Sequence, residues 1–448
     1  MSENKPSHWN AGILNFGVNR RSFLKGSAAF AGATIAAPAV FAQSGVTLRF
    51  LSFETSAGSM AVLKKACKLY ESKTGVKTII DSSPISGSSQ KILAAVNAGT
   101  PYDLATQCYI ADILQYVQAD VLVPLTDLVG KYEWGNRAAW QYNGENWYYP
   151  YDYNLVATYY RKDLYEQKGL KVPETRDQYL ENCRALAVTN RGSVDVGGCV
   201  LPLASDSATN WASFGSLFAD VPRFYDDSWN VILDQGETAQ QVASFLDFYA
   251  EAYKTMPPGM ATVSYAELMS LFVTGKAAHT NYSGRLVETI EATNPELADK
   301  YDIFPSPGNS GKKALSYAFD GFVVFKSPQS EEALKFLKWF IDDFYIEWLH
   351  SAWMNFQPAR LDIYEDPRWN SHPMIKKHWN TMMKMKSYIE DKDMQLIAVD
   401  TTGPSIDIRP CKIFNANIMP EMLQNRVLNG ASSADCVKAA AERIRSLG

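Results

Sequence analysis

The sequence predicts an α/β protein built on doubly wound sheets, with a mainly helical C-terminal region. Three observations predict it. Strand-like and helix-like segments alternate three times at short spacing between Val46 and Ala119. The chain has 448 residues, which suits two or three domains rather than one. Hydrophobic residues make up 46% and charged residues 20%, a balance that supports packed cores and not a disordered chain.

Each element has its own signal. Val46, Leu48, Phe50 and Phe53 mark an apolar strand over 46–53, and the helix over 59–74 is stopped by Gly75. Residues 77–81 and 102–107 read as the next strands, each followed by a helix, over 88–98 and 110–119. Sheets of this kind hold ligands outside the carboxyl ends of their strands. That singles out Phe53 and Glu54, residues 82–86, and Gln107 to Tyr109. An aromatic patch over 148–152 leads into a strand over 155–160, then helices over 162–168 and 175–187, with Thr175 and Gln178 spaced as a capping box. Helices over 238–253 and 265–272, a strand over 277–282 and a strand over 316–325 follow. In the helix over 330–344, Ala333, Phe336, Leu337 and Phe340 form one inward stripe.

The first forty residues read as an address. Asn19-Arg20-Arg21-Ser22-Phe23-Leu24-Lys25 precedes a short run of Ala, Gly, Phe and Val, too short for a membrane span. It resembles a twin-arginine export signal, with cleavage expected between Ala42 and Gln43. Cleavage there removes Lys5, Arg20, Arg21 and Lys25 with one acid, Glu3, so the formal charge passes from −5 to −8. An acidic chain without a basic stripe argues against nucleic acid as a partner. All six cysteines lie beyond the signal, with no C-x-x-C among them. Cys67 and Cys436 sit on apolar helical stripes; Cys183 ends an apolar helix face and Cys199 opens a strand-like run, the best-placed pair for a bridge.

Five segments, in order, resemble the family 1 extracellular solute-binding proteins of ABC importers, the sugar-binding group that includes maltose-binding protein. They are Ala98-Gly99-Thr100-Pro101-Tyr102-Asp103; Val123-Pro124-Leu125-Thr126-Asp127-Leu128; Tyr159-Tyr160-Arg161-Lys162-Asp163-Leu164 with Gly169 and Pro173; Phe272-Val273-Thr274-Gly275-Lys276-Ala277-Ala278; and Phe356-Gln357-Pro358-Ala359-Arg360. The resemblance implies two α/β lobes, 43–151 plus 317–365 and 152–316 plus 366–448, after a signal over 1–42. It implies a carbohydrate or polyol held between them and delivered to a membrane permease, in the periplasm, by a monomer without cofactor or metal. The aromatic content, 12% with 11 Trp and 24 Tyr, suits sugar faces.

Candidate ligand-binding residues follow from both readings. Phe53, Glu54, Gln107 and Tyr109 stand after strands; Glu54 either accepts from ligand hydroxyls or is a solvated loop acid. Tyr151 and Asp152 sit at the first expected crossing and either line the cleft or pack the hinge. Trp211 lies in a polar stretch, where a core role is harder to explain. Ser283, Gly284 and Arg285 occupy the place where many family members carry a Gly-x-Trp stacking residue. Arg285 there either meets a carboxylate or densely hydroxylated sugar, or forms an interlobe salt bridge. Asp320 and Gly321 resemble the family's cleft glycine pair, and Phe356 and Arg360 either close the site or serve the hinge. Asp103 reads as structural. No H-E-x-x-H, G-x-S-x-G, Walker loop or G-x-G-x-x-G occurs. The alternatives are a binding protein for a non-sugar solute and a secreted carbohydrate-active hydrolase, which would need two facing carboxylates.

Overall fold

A computed structural model describes residues 45–448; the paired arginines and the expected cleavage point lie outside the described residues. The chain opens as β1 (Thr47–Ser52), α1 (Ala57–Thr74), β2 (Lys77–Ser82), α2 (Ile85–Asn97), β3 (Leu104–Gln107) and α3 (Ile110–Gln118). Ser56 starts α1 by accepting the Ser59 N–H, and Gly75 ends it in the left-handed region at φ 77°. Val62, Leu63, Ala66, Cys67 and Tyr70 form the buried face of α1, and Tyr70 meets Phe336 of the helix Ser330–His350 edge-on at 5.1 Å.

Two further strands complete this sheet: β4 (Tyr149–Pro150) and, much later in the chain, β12 (Gly321–Val324). The order is β2-β1-β3-β12-β4. β1 runs parallel to β2 and β3, as the alternation predicts, but β12 is antiparallel to both β3 and β4. The sheet is therefore mixed, because β12 is not fed by a strand–helix crossover: the chain enters it from the other sheet.

That other sheet is built around β5 (Asp152–Arg161), a ten-residue strand buried along most of its length. The hairpin of β6 (Val188–Asn190) and β7 (Ser193–Val196) stands apart from it. The later strands are β8 (His279–Tyr282), β9 (Tyr301–Phe304), β10 (Ser306–Pro307), β11 (Lys313–Ala318), β13 (Gln357–Pro358) and β14 (Gln395–Leu396). β8, β9, β11 and β13 all pair antiparallel with β5. Helices dominate from Ser330 onward.

The chain passes between the sheets at Tyr151, between β4 and β5, and returns at Phe319 and Asp320, between β11 and β12. The sequence reads 316–325 as one strand, and the structure breaks it there for a physical reason. The Asp320 carbonyl accepts the N–H groups of Tyr151 (2.8 Å) and Asp152 (3.4 Å), while the Asp320 N–H donates to the Asp152 carboxylate at 2.9 Å. These bonds satisfy the backbone outside both ladders.

Arg176 and Asp220 form an ion pair with 0% and 1% side-chain exposure, and Asp220 also accepts backbone N–H groups from Asn309 and Ser310. All six cysteines are free and buried. Removing one partner of a buried pair strands the other charge in low dielectric. Arg176→Ala is expected to lower the unfolding free energy by about 3–5 kcal/mol, measured by urea denaturation. A loss under about 1 kcal/mol, the scale of a surface pair, would contradict this reading.

Candidate functional site

The carboxyl ends of β1, β2 and β3 converge on a cleft of about 430 Å³. On this side lie Phe53 and Glu54 after β1, Pro84 and Ile85 after β2, and Cys108 and Tyr109 after β3. The Phe53 N–H donates to Thr106 Oγ1 at 2.8 Å, which fixes the loop after β1 against β3. The facing side carries Trp211 from the helix Ser207–Ala212, whose N-terminus Asp206 caps through Ala208 and Thr209 N–H groups. Tyr265 and Met269 come from the helix Tyr265–Val273, Tyr282 and Ser283 from the end of β8, and Arg285 from the start of the next helix. Asn154 of β5 and Asp320 of the crossing also line the cleft.

Among the described residues, the one cation lining the cleft is already engaged. Arg285 Nη2 donates to Glu54 Oε1 and Oε2 (3.2 and 3.0 Å), and Nη1 donates to Glu288 Oε2 at 3.1 Å. Glu288 in turn accepts the N–H groups of Met354 and Asn355 (2.9 and 3.0 Å), and Asn355 Oδ1 accepts from Ser283 Oγ and the Arg285 N–H. Burial alone would favour loss of the Arg285 proton, but the charges of Glu54 and Glu288 more than offset it and raise its pKa. Burial raises the Glu54 carboxyl, with Arg285 opposing. Of the two sequence readings of Arg285, the salt bridge is the one formed: it joins the loop after β1 to the helix after β8.

Other polar atoms have no such partners. Both carboxylate oxygens of Asp320, Oδ1 of Asn154 and Nε1 of Trp211 are buried without a hydrogen bond of normal geometry. Cys108 and Asn154 lie beside Asp320 without completing one. Burial first, then the Glu54 charge, raises Asp320 to about 7, and burial with the Asp320 charge raises Asp152 well above the usual carboxylate range. Aromatic faces surround these atoms. Trp211 meets Tyr282 edge-on at 5.4 Å and Tyr265 at 5.7 Å, and the Tyr109 and Tyr265 hydroxyls are 2.6 Å apart.

Seven of the fourteen sequence candidates line the cleft: Phe53, Glu54, Tyr109, Trp211, Ser283, Arg285 and Asp320. The other seven support it or lie elsewhere. Gln107 is fully buried at the end of β3, its amide unpartnered. Asp152 holds the Asp320 N–H. Tyr151 packs edge-on against Trp348 at 5.5 Å and Phe356 stacks on the same ring at 5.7 Å, so both belong to the core. At Gly284 a Cβ would collide with the Met354 carbonyl, which ties residues 283–285 closely to the 354–355 segment. Gly321 begins β12, in register with Gln107 and Pro150. Arg360 pairs with Asp362, lies 3.8 Å over the Tyr132 ring and donates to the Tyr149 hydroxyl at 3.4 Å, so it ties its loop to these elements away from the cleft lining.

The sequence reading missed Asn154, Tyr265, Met269, Tyr282 and Asn355. Two of these had a readable signal: Asn154 is two residues from Asp152 on the same strand face, and Tyr282 adjoins Ser283. Among the described residues no group of three or more His, Cys, Asp or Glu side chains is placed to hold a metal ion.

Residues 54–343 match the sequence profile of the bacterial extracellular solute-binding proteins. A mannitol-binding protein of Pseudomonas aeruginosa is 27% identical over 197 residues. That match takes in 42% of this chain and 44% of the relative, so the chain spans less than half the length of the curated relative it matches. Among solved structures, an ABC transporter solute-binding protein from Thermotoga lettingae TMO bound with alpha-D-tagatose superposes with a TM-score of 0.70 at 18% identity, over 90% of this chain and 98% of that one. Another, from Agrobacterium radiobacter K84 in complex with ribitol, has a TM-score of 0.70 at 20% identity, over 90% and 99%. At these identities the likeness establishes the two-lobed α/β fold.

The Asp320 carboxyl has a stability signature. Its folded pKa, about 7, lies above its ordinary value of 3.8, so the folded chain holds a proton that the unfolded chain releases between roughly pH 4 and 7. That contribution to stability is complete below pH 4 and is lost as pH rises through 7. The unfolding free energy of the native chain relative to Asp320→Asn is therefore expected to fall from pH 4 to 7 and level off above. Denaturation curves at several pH values measure this, and a constant difference across the window would refute it.

Proposed function

This chain belongs to the bacterial extracellular solute-binding protein family, and from that premise we propose that it captures an uncharged sugar or polyol between its two lobes and delivers it to the permease of an ABC importer. Members of this family bind solute and do not transform it. The observation that carries the reading is the set of unpartnered polar atoms lining the cleft: the Asp320 carboxylate and Asn154 Oδ1 as acceptors, and Trp211 Nε1 as donor. Hydroxyl groups satisfy both kinds, and a carboxylate accepts two vicinal hydroxyls at once. Aromatic side chains around them offer the faces on which the C–H surface of a sugar or polyol packs.

Charge narrows the class. With Arg285 committed to Glu54 and Glu288, the described residues of the lining leave no free cation for an anionic ligand, while Asp320 repels one. Sugar acids are disfavoured, and neutral hydroxyl donors fit. A volume of about 430 Å³ lies in the small-ligand range. The mannitol-binding relative and the ribitol and tagatose complexes support the same class. Lobes of 43–151 plus 317–365 and 152–316 plus 366–448, closing about the crossings at Tyr151 and Asp320, are the moving parts. Ligand favours the closed arrangement by touching both at once. The twin-arginine segment, with cleavage between Ala42 and Gln43, supports export through the twin-arginine machinery to the periplasm as a monomer without cofactor.

Thermal-shift screening of residues 43–448 against hexitols, pentitols, ketohexoses, disaccharides and uronic acids tests this. Ligand at 100 times its Kd adds about 2.7 kcal/mol, so a shift is expected with a neutral polyol or monosaccharide and none with a uronate, the ligand being recovered unchanged. A shift with uronates alone, or turnover of the sugar, would overturn the reading. Asp320→Asn removes a charge-assisted acceptor worth about 1.5–3 kcal/mol, so its Kd by calorimetry is expected to rise roughly 10- to 100-fold. Because hydroxyls donate to the ionised carboxylate, native affinity is expected to rise from pH 6 to 8 and that of Asp320→Asn to stay nearly flat. Equal slopes would count against Asp320 as a ligand contact.

A further inference from the structure

Away from the cleft, two thiols on either side of one hairpin come close together. Cys183 lies in the last turn of the helix Arg176–Leu186, and Cys199 lies just beyond β7; both are fully buried. Gly198 brings them together. A Cβ at this position would collide with the Cys183 carbonyl oxygen, so only glycine lets the segment 197–199 lie against the end of the helix. The segment is held there by its backbone: the Gly198 N–H donates to the Thr255 carbonyl at 2.9 Å, and Gly197 and Val200 bridge to Ala277 and Thr280 at the two ends of the approach to β8. The two thiols lie close enough to act on each other's acidity.

The surroundings rule out two other uses. Both nitrogens of His279 are taken, Nδ1 by the Gly198 carbonyl (2.6 Å) and Nε2 by the Tyr165 hydroxyl (2.6 Å), so the ring is a fixed structural link and not a metal ligand. Burial holds its pKa down at about 4, so at neutral pH it offers the thiols no positive charge. Besides each other, the thiols meet Thr255 Oγ1 and the Ala252 carbonyl, 3.5 and 3.7 Å from Cys199, and His279 Nδ1, 3.7 Å from Cys183.

We propose that Cys183 and Cys199 form a disulfide when the chain meets a disulfide-bearing oxidant, so that the end of the helix and the strand leading to β8 are covalently stapled. The balance is two thiols and one oxidant disulfide giving one protein disulfide and two small thiols. One cysteine thiolate attacks the oxidant, expelling its first thiolate. The second then attacks the mixed disulfide at the protein sulfur, expelling the other, and the two protons released go to the departing thiolates. Cys199 is the first attacker: the neighbouring Cys183 thiol lowers its pKa, whereas burial raises that of Cys183. Access is through the β6–β7 hairpin, an exposed two-stranded ribbon that spans the residues between the cysteines. Ribbons of this size are marginally stable by themselves and open locally. The bridge would close a loop between residues 183 and 199, restricting the unfolded chain, without touching any side chain that lines the cleft.

The test uses residues 43–448 incubated in a glutathione redox buffer, then alkylated in denaturant and digested with trypsin. The expected product is a cross-linked pair of peptides, 177–184 with 192–223, in which four of the six cysteines are alkylated. The oxidised protein is expected to melt several degrees higher than the same sample with dithiothreitol. The Cys183→Ser, Cys199→Ser double variant should lose that dependence while binding ligand as the native chain does. Alkylation of all six cysteines after oxidation, or a bridge joining another pair, would overturn the proposal, and neither readout requires the variant to fold. Because no ligand is needed, failure here would leave the solute-binding reading standing, and failure to find a ligand would leave the bridge standing.

Discussion

Everything that makes the cleft a site rests on three hydrogen bonds at the crossing. Tyr151 and Asp152 donate their N–H groups to the Asp320 carbonyl, and Asp320 donates its own to the Asp152 carboxylate. This small knot lets the chain leave one sheet and enter the other twice, at the same place, with these buried backbone groups paired. Its by-product is chemical. With its backbone consumed in the knot, Asp320 keeps a side chain whose two oxygens reach the cleft with nothing bonded to them. A buried acid in that state is costly when ionised, which is why its pKa rises, and a hydroxyl-bearing ligand relieves that cost.

Two arginines, one buried and one at the cleft, show how environment separates structural from functional charge. Arg176 and Asp220 are sealed inside one part of the protein, where Asp220 accepts from Arg176 Nη2 and from nearby backbone N–H groups. Arg285 makes the same kind of bond, but between Glu54 on one side of the cleft and Glu288 on its own helix. It neutralises acids that would otherwise crowd the site and removes itself as a receptor for anions. The cleft is thus rich in acceptors and aromatic faces and short of free cations. That pattern, and not any single residue, distinguishes a neutral polyhydroxylated ligand from an acidic one.

Much of the architecture was legible in the sequence because it follows from local rules. Period and capping located β1 to α3 within a few residues, and Thr175 caps its helix as the spacing predicts. The rule that ligands sit beyond carboxyl ends of strands found Phe53, Glu54 and Tyr109. What escaped was set by long-range contacts. The apolar run over 316–325 carries no mark of its division, because the break is made by Tyr151 and Asp152, well over a hundred residues away. Tyr151 and Phe356 are aromatic residues near the crossing, and only three-dimensional packing shows that Trp348 takes both into the core. Tyr265 and Asn355 reach the cleft from a helix and a loop whose placement no local pattern reveals. The meeting of Cys183 and Cys199 was suggested by their elements, but it depends on the close approach at Gly198.

The central claim is that the Asp320 carboxylate is held unpartnered by the crossing for the ligand to complete. Carbon-13 NMR titration of the aspartate carboxyls, with Asp320 assigned through Asp320→Asn, measures it most directly. The account predicts that Asp320 titrates near 7 in the free protein and shifts to lower pH when a neutral sugar or polyol binds, because its hydroxyls stabilise the ionised form. Titration at the ordinary value of an exposed aspartate, or a midpoint unmoved by a ligand that binds, would contradict it.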